Sequence, residues 1–284
     1  MLKLLTSQKI FLASILSKTI IFFLGPDKRI VKRNKILYEV DINEGIDLGI
    51  FLNFKNERKI FNLTNILDPK GKCIMLDIGA NVGSVSLPLA KIYQKSKIYS
   101  IEPTYYAFKK LKKNIDLNPK LKKRIVALNY LINNENKSRN VYSSWNFNSN
   151  EHKHKIHLGT LKEINNKNII SLDQTIKKIN QKIDFIKLDV DGFELKVLKS
   201  GRKNINKFKP IIHMEFAPYL HKEFKYSSKS LISFIKKDLN YVFYDEDFRE
   251  VKNIYNYVRH IKKRSENFFL IHKKMRQLII NHKI

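Results

Sequence analysis

Two rhythms of apolar and polar positions alternate along this chain. From residue 72 onward, short apolar runs recur, each followed by a stretch whose apolar positions lie three or four apart. The runs predict seven strands: Cys73–Ile78, Lys97–Ile101, Ile125–Leu131, Ile183–Val190, Ile211–Phe216, Tyr241–Tyr244 and Phe268–His272. The helical spacing predicts helices over Ser84–Tyr93, Tyr105–Leu117, Leu172–Asn180, Gly192–Lys199 and Ser227–Leu239. Strand and helix in alternation build βαβ units, so the sheet should be mostly parallel with helices on its faces. A polar stretch with no clear helix separates the last two strands, which predicts that they pair antiparallel.

The first 70 residues read as an extension placed before a main domain of residues 71–284. A long apolar helix opens the chain and ends at Gly25-Pro26-Asp27. Two β-rich runs then flank Asn43-Glu44-Gly45, predicting a hairpin that turns there. Residues Glu57–Leu67 predict a short helix ended by Asp68-Pro69-Lys70-Gly71. Between Asn133 and Ile170 the periodicity dissolves into Asn, Lys, Ser and His. This predicts an excursion outside the sheet, of the kind that shapes a substrate pocket. The chain contains no internal repeat.

Composition narrows the class. At 284 residues with 43% hydrophobic residues the chain can bury a large core, which argues against disorder. The formal charge of +29 would draw polyanions. The excess is Lys rather than Arg, spread along the whole chain and accompanied by Asn, Ile, Phe and Tyr, so compositional drift is favoured over a dedicated anionic partner. Cys73 is the only cysteine, which excludes an intrachain disulfide and a cysteine-based zinc site and fits a reducing, cytoplasmic location. The apolar run Ile10–Leu24 covers about 22 Å as a helix against roughly 30 Å of hydrocarbon, and it carries Lys18. No small-x-small cleavage site follows it. The reading favoured for this helix is packing on the domain, ahead of peripheral contact with a membrane or partner, with a true membrane segment last.

The stretch "MLDIGANVGSVSLPLAK" (Met75–Lys91) breaks from strand into helix around Asp77, Gly79, Asn81 and Gly83. Ligands of an open parallel sheet bind at such strand ends. A dinucleotide site has G-x-G-x-x-G; here Asp77 stands in place of the first glycine and the third is absent. A carboxylate would repel a pyrophosphate, whereas S-adenosylmethionine has no phosphate and carries an ammonium. On the next strand, "SIEPTYY" puts Glu102 where a carboxylate can accept both ribose hydroxyl protons. An N-cap for Asp77 and a solvated strand end for Glu102 are the plain alternatives. The pair on consecutive strands favours an S-adenosylmethionine site, with Asn129, Tyr130 and Leu131 available to the adenine ring.

These motifs, the spaced "SLDQTI" and above all "IDFIKLDVDGFELKVLKSG" resemble the FkbM group of class I S-adenosylmethionine-dependent methyltransferases, over roughly Asp41–His272. The resemblance implies a Rossmann-like α/β fold with a seven-stranded, mostly parallel sheet whose last strand is antiparallel. It also implies methylation of oxygen, often a hydroxyl of a sugar or secondary metabolite. Asp191 departs from the Glu found in many members but keeps the charge, and the excursion is poorly matched.

Methyl transfer to oxygen requires an in-line approach and the removal of one proton. Asp189, at the end of a buried strand on the same edge as Asp77, is the leading candidate for general base or acceptor-orienting acid. Asp191 and Glu194 follow within one turn; the acid cluster could raise a carboxyl pKa or hold a divalent cation, with proton handling favoured and no metal expected. Structural roles compete: Glu194 could cap its helix or pair with Lys187, and Asp191-Gly192 could simply shape the turn. "IIHMEFAPYL" places His213, Glu215 and Tyr219 near the rim, with His213 and Glu215 on one strand face and able to act together. A satisfied core histidine is the commoner fate of such a residue. In "HKHKIH", His152, His154 and His157 have no acid nearby, so a solvated strand is favoured over a metal site.

The expected partner is therefore a small-molecule or saccharide acceptor. A nucleic-acid-directed methyltransferase would account for the charge, yet no Pro-Pro-aromatic run follows Asp189 and Cys73 is misplaced for covalent pyrimidine chemistry. A nicotinamide oxidoreductase is disfavoured by Asp77. A non-catalytic binding module of the same fold is the alternative from outside enzymology.

Overall fold

The computed structural model describes residues 6–53, 58–134, 139–142, 161–164, 168–261 and 264–277. Helix α1 (Thr6–Leu24) leads into a hairpin of β1 (Lys28–Arg33) and β2 (Ile36–Asp41), followed by α2 (Gly45–Phe51) and a 3-10 turn over Arg58–Asn65. The hairpin turns at Asn34-Lys35, not at Asn43-Glu44-Gly45 as expected. Both turn residues adopt the left-handed conformation that suits a tight two-residue connection. Asn43-Glu44 instead leads into α2, where buried Asp47 accepts from the Asp41 amide at 2.8 Å.

The main sheet then begins. In chain order come β3 (Ile74–Ile78), α3 (Ser86–Ile92), β4 (Lys97–Ile101), α4 (Tyr105–Asp116), α5 (Pro119–Lys122) and β5 (Ile125–Leu128). Four short strands follow: β6 (Leu131–Ile132), β7 (Arg139–Tyr142), β8 (Leu161–Ile164) and β9 (Ile169–Ile170). The second half comprises α6 (Leu172–Ile179), β10 (Phe185–Leu188), α7 (Glu194–Ser200), α8 (Arg202–Phe208), β11 (Ile211–Phe216), α9 (Pro218–His221) and α10 (Ser228–Ser233, extended by a π turn to Asp238). It closes with β12 (Tyr241–Tyr244), α11 (Ile254–His260) and β13 (Glu266–His272).

The seven strands lie in the order β12-β13-β11-β10-β3-β4-β5. All pair in parallel except β13, which inserts antiparallel between β11 and β12. The seven-stranded, mostly parallel α/β architecture with a leading helix and hairpin is thus present. The antiparallel pairing of the last two strands also holds, although α11 rather than an irregular stretch joins them. Strand order reverses between β3 and β10, the position at whose carboxyl ends open α/β sheets receive their ligands.

Side-chain alternation sorts the core into two layers. Leu76, Ile186 and Ile212 face one, and Met75, Phe185 and Ile211 face the other. The second layer also takes Ile20, Ile36, Tyr38 and Val40 from the N-terminal segment. Asn114 and Asn118 tie that segment to α4 and α5: their side-chain oxygens accept the β2 amides of Glu39 at 2.8 Å and Leu37 at 2.9 Å. Backbone groups that a neighbouring strand would satisfy are met by amides instead. Lys110 on α4 bridges Glu44 and the fully buried Asp47, whose carboxyl is pushed up to about 6 by burial.

The predicted third strand ends early, at Leu128. Asn129 turns its amide onto the carbonyls of Glu102 (2.8 Å) and Pro103 (3.0 Å), so β6 leaves the sheet and pairs in parallel with β9. The excursion therefore departs and returns side by side, and Asn133 donates its backbone N–H to Ile170 at 2.9 Å. Within it β7 and β8 pair antiparallel. His152, His154 and His157 lie outside the described residues.

Candidate active site

Four adjacent strands place polar residues opposite one another. Ser100 on β4 faces Asp77 on β3, Asp77 faces Lys187 on β10, and Lys187 faces His213 on β11. The row crosses the second core layer one step short of the ends of β3, β4 and β10 and three short of the end of β11. Asp77 is fully buried; its Oδ2 accepts from the Ser86 hydroxyl at 2.5 Å, and Ser86 and Ser100 lie 2.6 Å apart through their hydroxyls. The Lys187 ammonium stands 3.6 Å from Asp77 Oδ1, donates to the Gly79 carbonyl at 2.8 Å and pairs with Asp189 at 3.2 Å. The charge beside Asp77 is thus supplied by the chain itself, and Asp77 sits beneath the glycine turn.

That turn is fixed from below as well. Gly79 has a φ of +82°, and a β-carbon there would collide with the backbone carbonyl oxygen of Asp189. The glycine lets β3 and β10 approach closely where their chains leave the sheet. Asn81, also left-handed, donates its amide to Glu102 Oε2 at 3.0 Å, and Gly83 begins the descent into α3. Glu102 Oε1 accepts from the Thr104 amide (2.9 Å) and hydroxyl (2.6 Å). Burial raises its pKa, and these bonds oppose the rise. Three of about four lone-pair sites on this carboxylate are therefore occupied by described residues, leaving room for one further donor. Asn129 directs its Nδ2 to backbone carbonyls and its Oδ1 to Asn168 at 3.1 Å, so it braces the end of β5.

Two residues beyond the polar row, β10 and β11 deliver Asp189 and Glu215. Asp189 keeps 41% of its side chain exposed and shares a hydrogen bond with Glu215. Burial opposes ionisation of both, but Lys187 and the bond from Glu215 hold Asp189 below the usual carboxylate range. For Glu215, burial and then the charges of Asp189 and Asp191 raise the carboxyl well above that range. Asp189, Asp191 and Glu215 each offer an oxygen within 4.8 Å of the others, a spacing that a divalent cation would also fit. The hydrogen bond between Asp189 and Glu215 offsets part of their repulsion. Burial pushes the Tyr219 phenol up, as do Glu215, Asp191 and Asp189, so the tyrosine stands over the same cluster.

The remaining predicted residues lie apart from this opening. His213 shares the strand face of Glu215, as alternation requires, but is buried with its Nε2 3.3 Å from Glu246 Oε1 and its ring edge-on to Phe269. Burial lowers its pKa from the ordinary value, and the Glu246 carboxylate opposes the shift. Glu194 is fully buried. It accepts the Gly192 amide at 3.1 Å and the Tyr226 hydroxyl at 3.2 Å, and burial brings its pKa up to about 7. Asp191 and Gly192, with φ of +50° and +99°, form the turn that Glu194 closes. Lys187 is the functional residue that sequence reasoning undervalued. Its signal was a lysine two positions before a strand-end acid inside an otherwise apolar strand.

The Methyltransferase FkbM domain family matches residues 77–243, more than half of the chain. This chain belongs to the FkbM methyltransferase family. Membership of this methyltransferase family implies S-adenosylmethionine as the methyl donor. No curated protein sequence matches the chain. Among solved structures, the FkbM methyltransferase of Methylobacillus flagellatus KT is similar at 18% identity and a TM-score of 0.43. That alignment covers 72% of this FkbM chain and 44% of the other, so the chain spans less than half of that protein. TYW2 of M. jannaschii, solved in complex with AdoMet, aligns at 12% identity and a TM-score of 0.43, covering 86% of this chain and 84% of that one. A human methyltransferase 10 domain containing protein aligns at 10% identity and a TM-score of 0.46, covering 95% and 99%.

Proposed function

We propose that this FkbM methyltransferase transfers the methyl group of S-adenosylmethionine to a hydroxyl oxygen of a saccharide or other small metabolite. The observation that carries the proposal is the Asp189–Glu215 pair, two carboxyls where β10 and β11 end, whose surroundings drive their proton affinities apart. The bound donor supplies a sulfonium methyl open to in-line attack. Glu102 accepts a ribose hydroxyl through its remaining lone-pair site, and the 79–83 backbone turn, held up by Asp77, Ser86 and Lys187, gives the donor a surface without side chains. Asp189, ionised and half exposed, accepts the hydrogen bond of the acceptor hydroxyl and orients its oxygen. Glu215 provides the higher proton affinity of the pair, so the doubly ionised pair takes the hydroxyl proton as the new C–O bond forms.

The sign of the pH dependence follows. The active form has lost the proton that Glu215 holds strongly, so transfer rises with pH along an acid limb displaced above the ordinary carboxylate range. Label transfer from methyl-labelled donor, with mass-spectrometric detection of an acceptor one methylene heavier, provides the rate. Glu215→Gln removes that limb; an unchanged limb in this variant assigns the titration elsewhere and refutes the pairing. For the donor side, Glu102→Gln weakens S-adenosylmethionine binding by about tenfold or more, the worth of a hydrogen bond to a charged group. Calorimetry that finds equal affinity removes Glu102 from the donor site.

A further inference from the structure

Eleven large apolar residues are exposed among the described residues, and seven of them belong to α1: Phe11, Leu12, Ile15, Leu16, Phe22, Phe23 and Leu24. The opposite side of the helix is seated. Ser17 and Ile20 are buried, Ala13 and Ile21 pack against the second core layer, and the Ser17 hydroxyl donates to Asn43 at 3.3 Å. The helix is thus fixed to the body by one stripe and presents two apolar clusters to solvent, Phe11–Leu16 and Phe22–Leu24, on either side of exposed Lys18 and Thr19, with Phe22 81% and Phe23 74% exposed. Seven exposed large apolar side chains clustered on one helix mark an interaction site rather than an isolated exposed side chain.

Charge selects the occupant. Directly after α1, strand β1 turns the alternating set Lys28, Ile30 and Lys32 outward, all exposed. Residues 1–35 carry eight basic residues against a single acid, Asp27. A second copy of a +29 chain would bring these same lysines face to face, which opposes self-association. An anionic lipid surface supplies counter-charges for the lysines and a boundary in which phenylalanines rest. Among the described residues no helix is long and apolar enough to cross a membrane. Apolar clusters bordered by lysines suit a helix lying in the interface plane.

We propose that α1, with the outward face of β1, docks this protein peripherally on an anionic lipid surface. The inference is independent of the catalytic reading. Its test is co-sedimentation of the full chain with vesicles of phosphatidylcholine alone and of equal parts phosphatidylcholine and phosphatidylglycerol. The wild type partitions onto the mixed vesicles and not onto phosphatidylcholine alone. Phe22→Ser with Phe23→Ser lowers that partitioning by about tenfold or more, since both rings lose their place in the boundary. Lys28→Gln with Lys32→Gln lowers it by about fivefold per lysine at low salt, an effect that added salt erases. Both pairs are solvent-exposed, so circular dichroism should show the native fold retained. Failure to bind the mixed vesicles, or binding indifferent to the phenylalanine pair, overturns the proposal. So does sedimentation equilibrium in which the wild type is a dimer that the phenylalanine pair dissociates, because a second copy would then cover the face.

Discussion

Replacing Asp189 by Asn lowers kcat by about 10²- to 10⁴-fold, the range over which positioned proton handling contributes, while S-adenosylmethionine affinity stays within about threefold. The substitution keeps the side chain's shape, and with 41% of it exposed the change creates no cavity. What is lost is the charge that Lys187 maintains and that the acceptor hydroxyl requires as its hydrogen-bond partner. The split between turnover and donor affinity is the informative readout. Single-turnover kinetics give the first and calorimetry the second. A kcat within tenfold of wild type would dismiss Asp189 from the proton path, and a parallel loss of donor affinity would reassign it to the donor side.

Lys187→Met produces the largest expected loss of stability. Its ammonium is the cation beside the fully buried Asp77, so its removal strands a carboxylate in the core at about 3 kcal/mol. For a chain of this size that lowers Tm by about 6–12 °C. The double variant Asp77→Asn, Lys187→Met removes the stranded charge and should recover most of the loss, because neutral Asn still accepts from Ser86. Thermal and urea unfolding of the two single variants and the double one close the cycle. A loss in the double variant equal to the sum of the two single losses would show that the pair carries no coupling. In the active enzyme Lys187→Met has a second signature, since Asp189 loses the neighbour that holds its carboxyl down. The acid limb of methyl transfer then moves further upward.

Much of this was readable from the order of residues. Each of the seven strands begins within two residues of its predicted start, because buried parallel strands are continuous apolar runs that periodicity detects. The strand-end acids Asp77, Glu102 and Asp189 were also legible, since position after an apolar run is a one-dimensional property. Lateral relations were not. That Asp77 lies opposite Lys187, and Lys187 opposite His213, depends on the register of three strands far apart in sequence. Of the two structural roles open to Glu194, capping and pairing with Lys187, the order of residues could not choose: Glu194 accepts from Gly192 and Tyr226, while Lys187 meets Gly79 and the aspartates. The hairpin turn was misplaced for a related reason. Asn34-Lys35 is hidden inside a basic run, whereas Asn43-Glu44-Gly45 has turn-like composition but serves as a helix entrance.

The parallel pair β6–β9 gives the molecule a seam. Because Leu131 and Ile132 lie beside Ile169 and Ile170, the chain between them leaves and re-enters through one doorway. Lengthening or trimming what lies beyond adds only a slowly growing closure entropy and does not pull on β5 or β10. Insertion or deletion within the excursion is thereby uncoupled from the sheet edge that carries Asp77, Glu102 and Asp189.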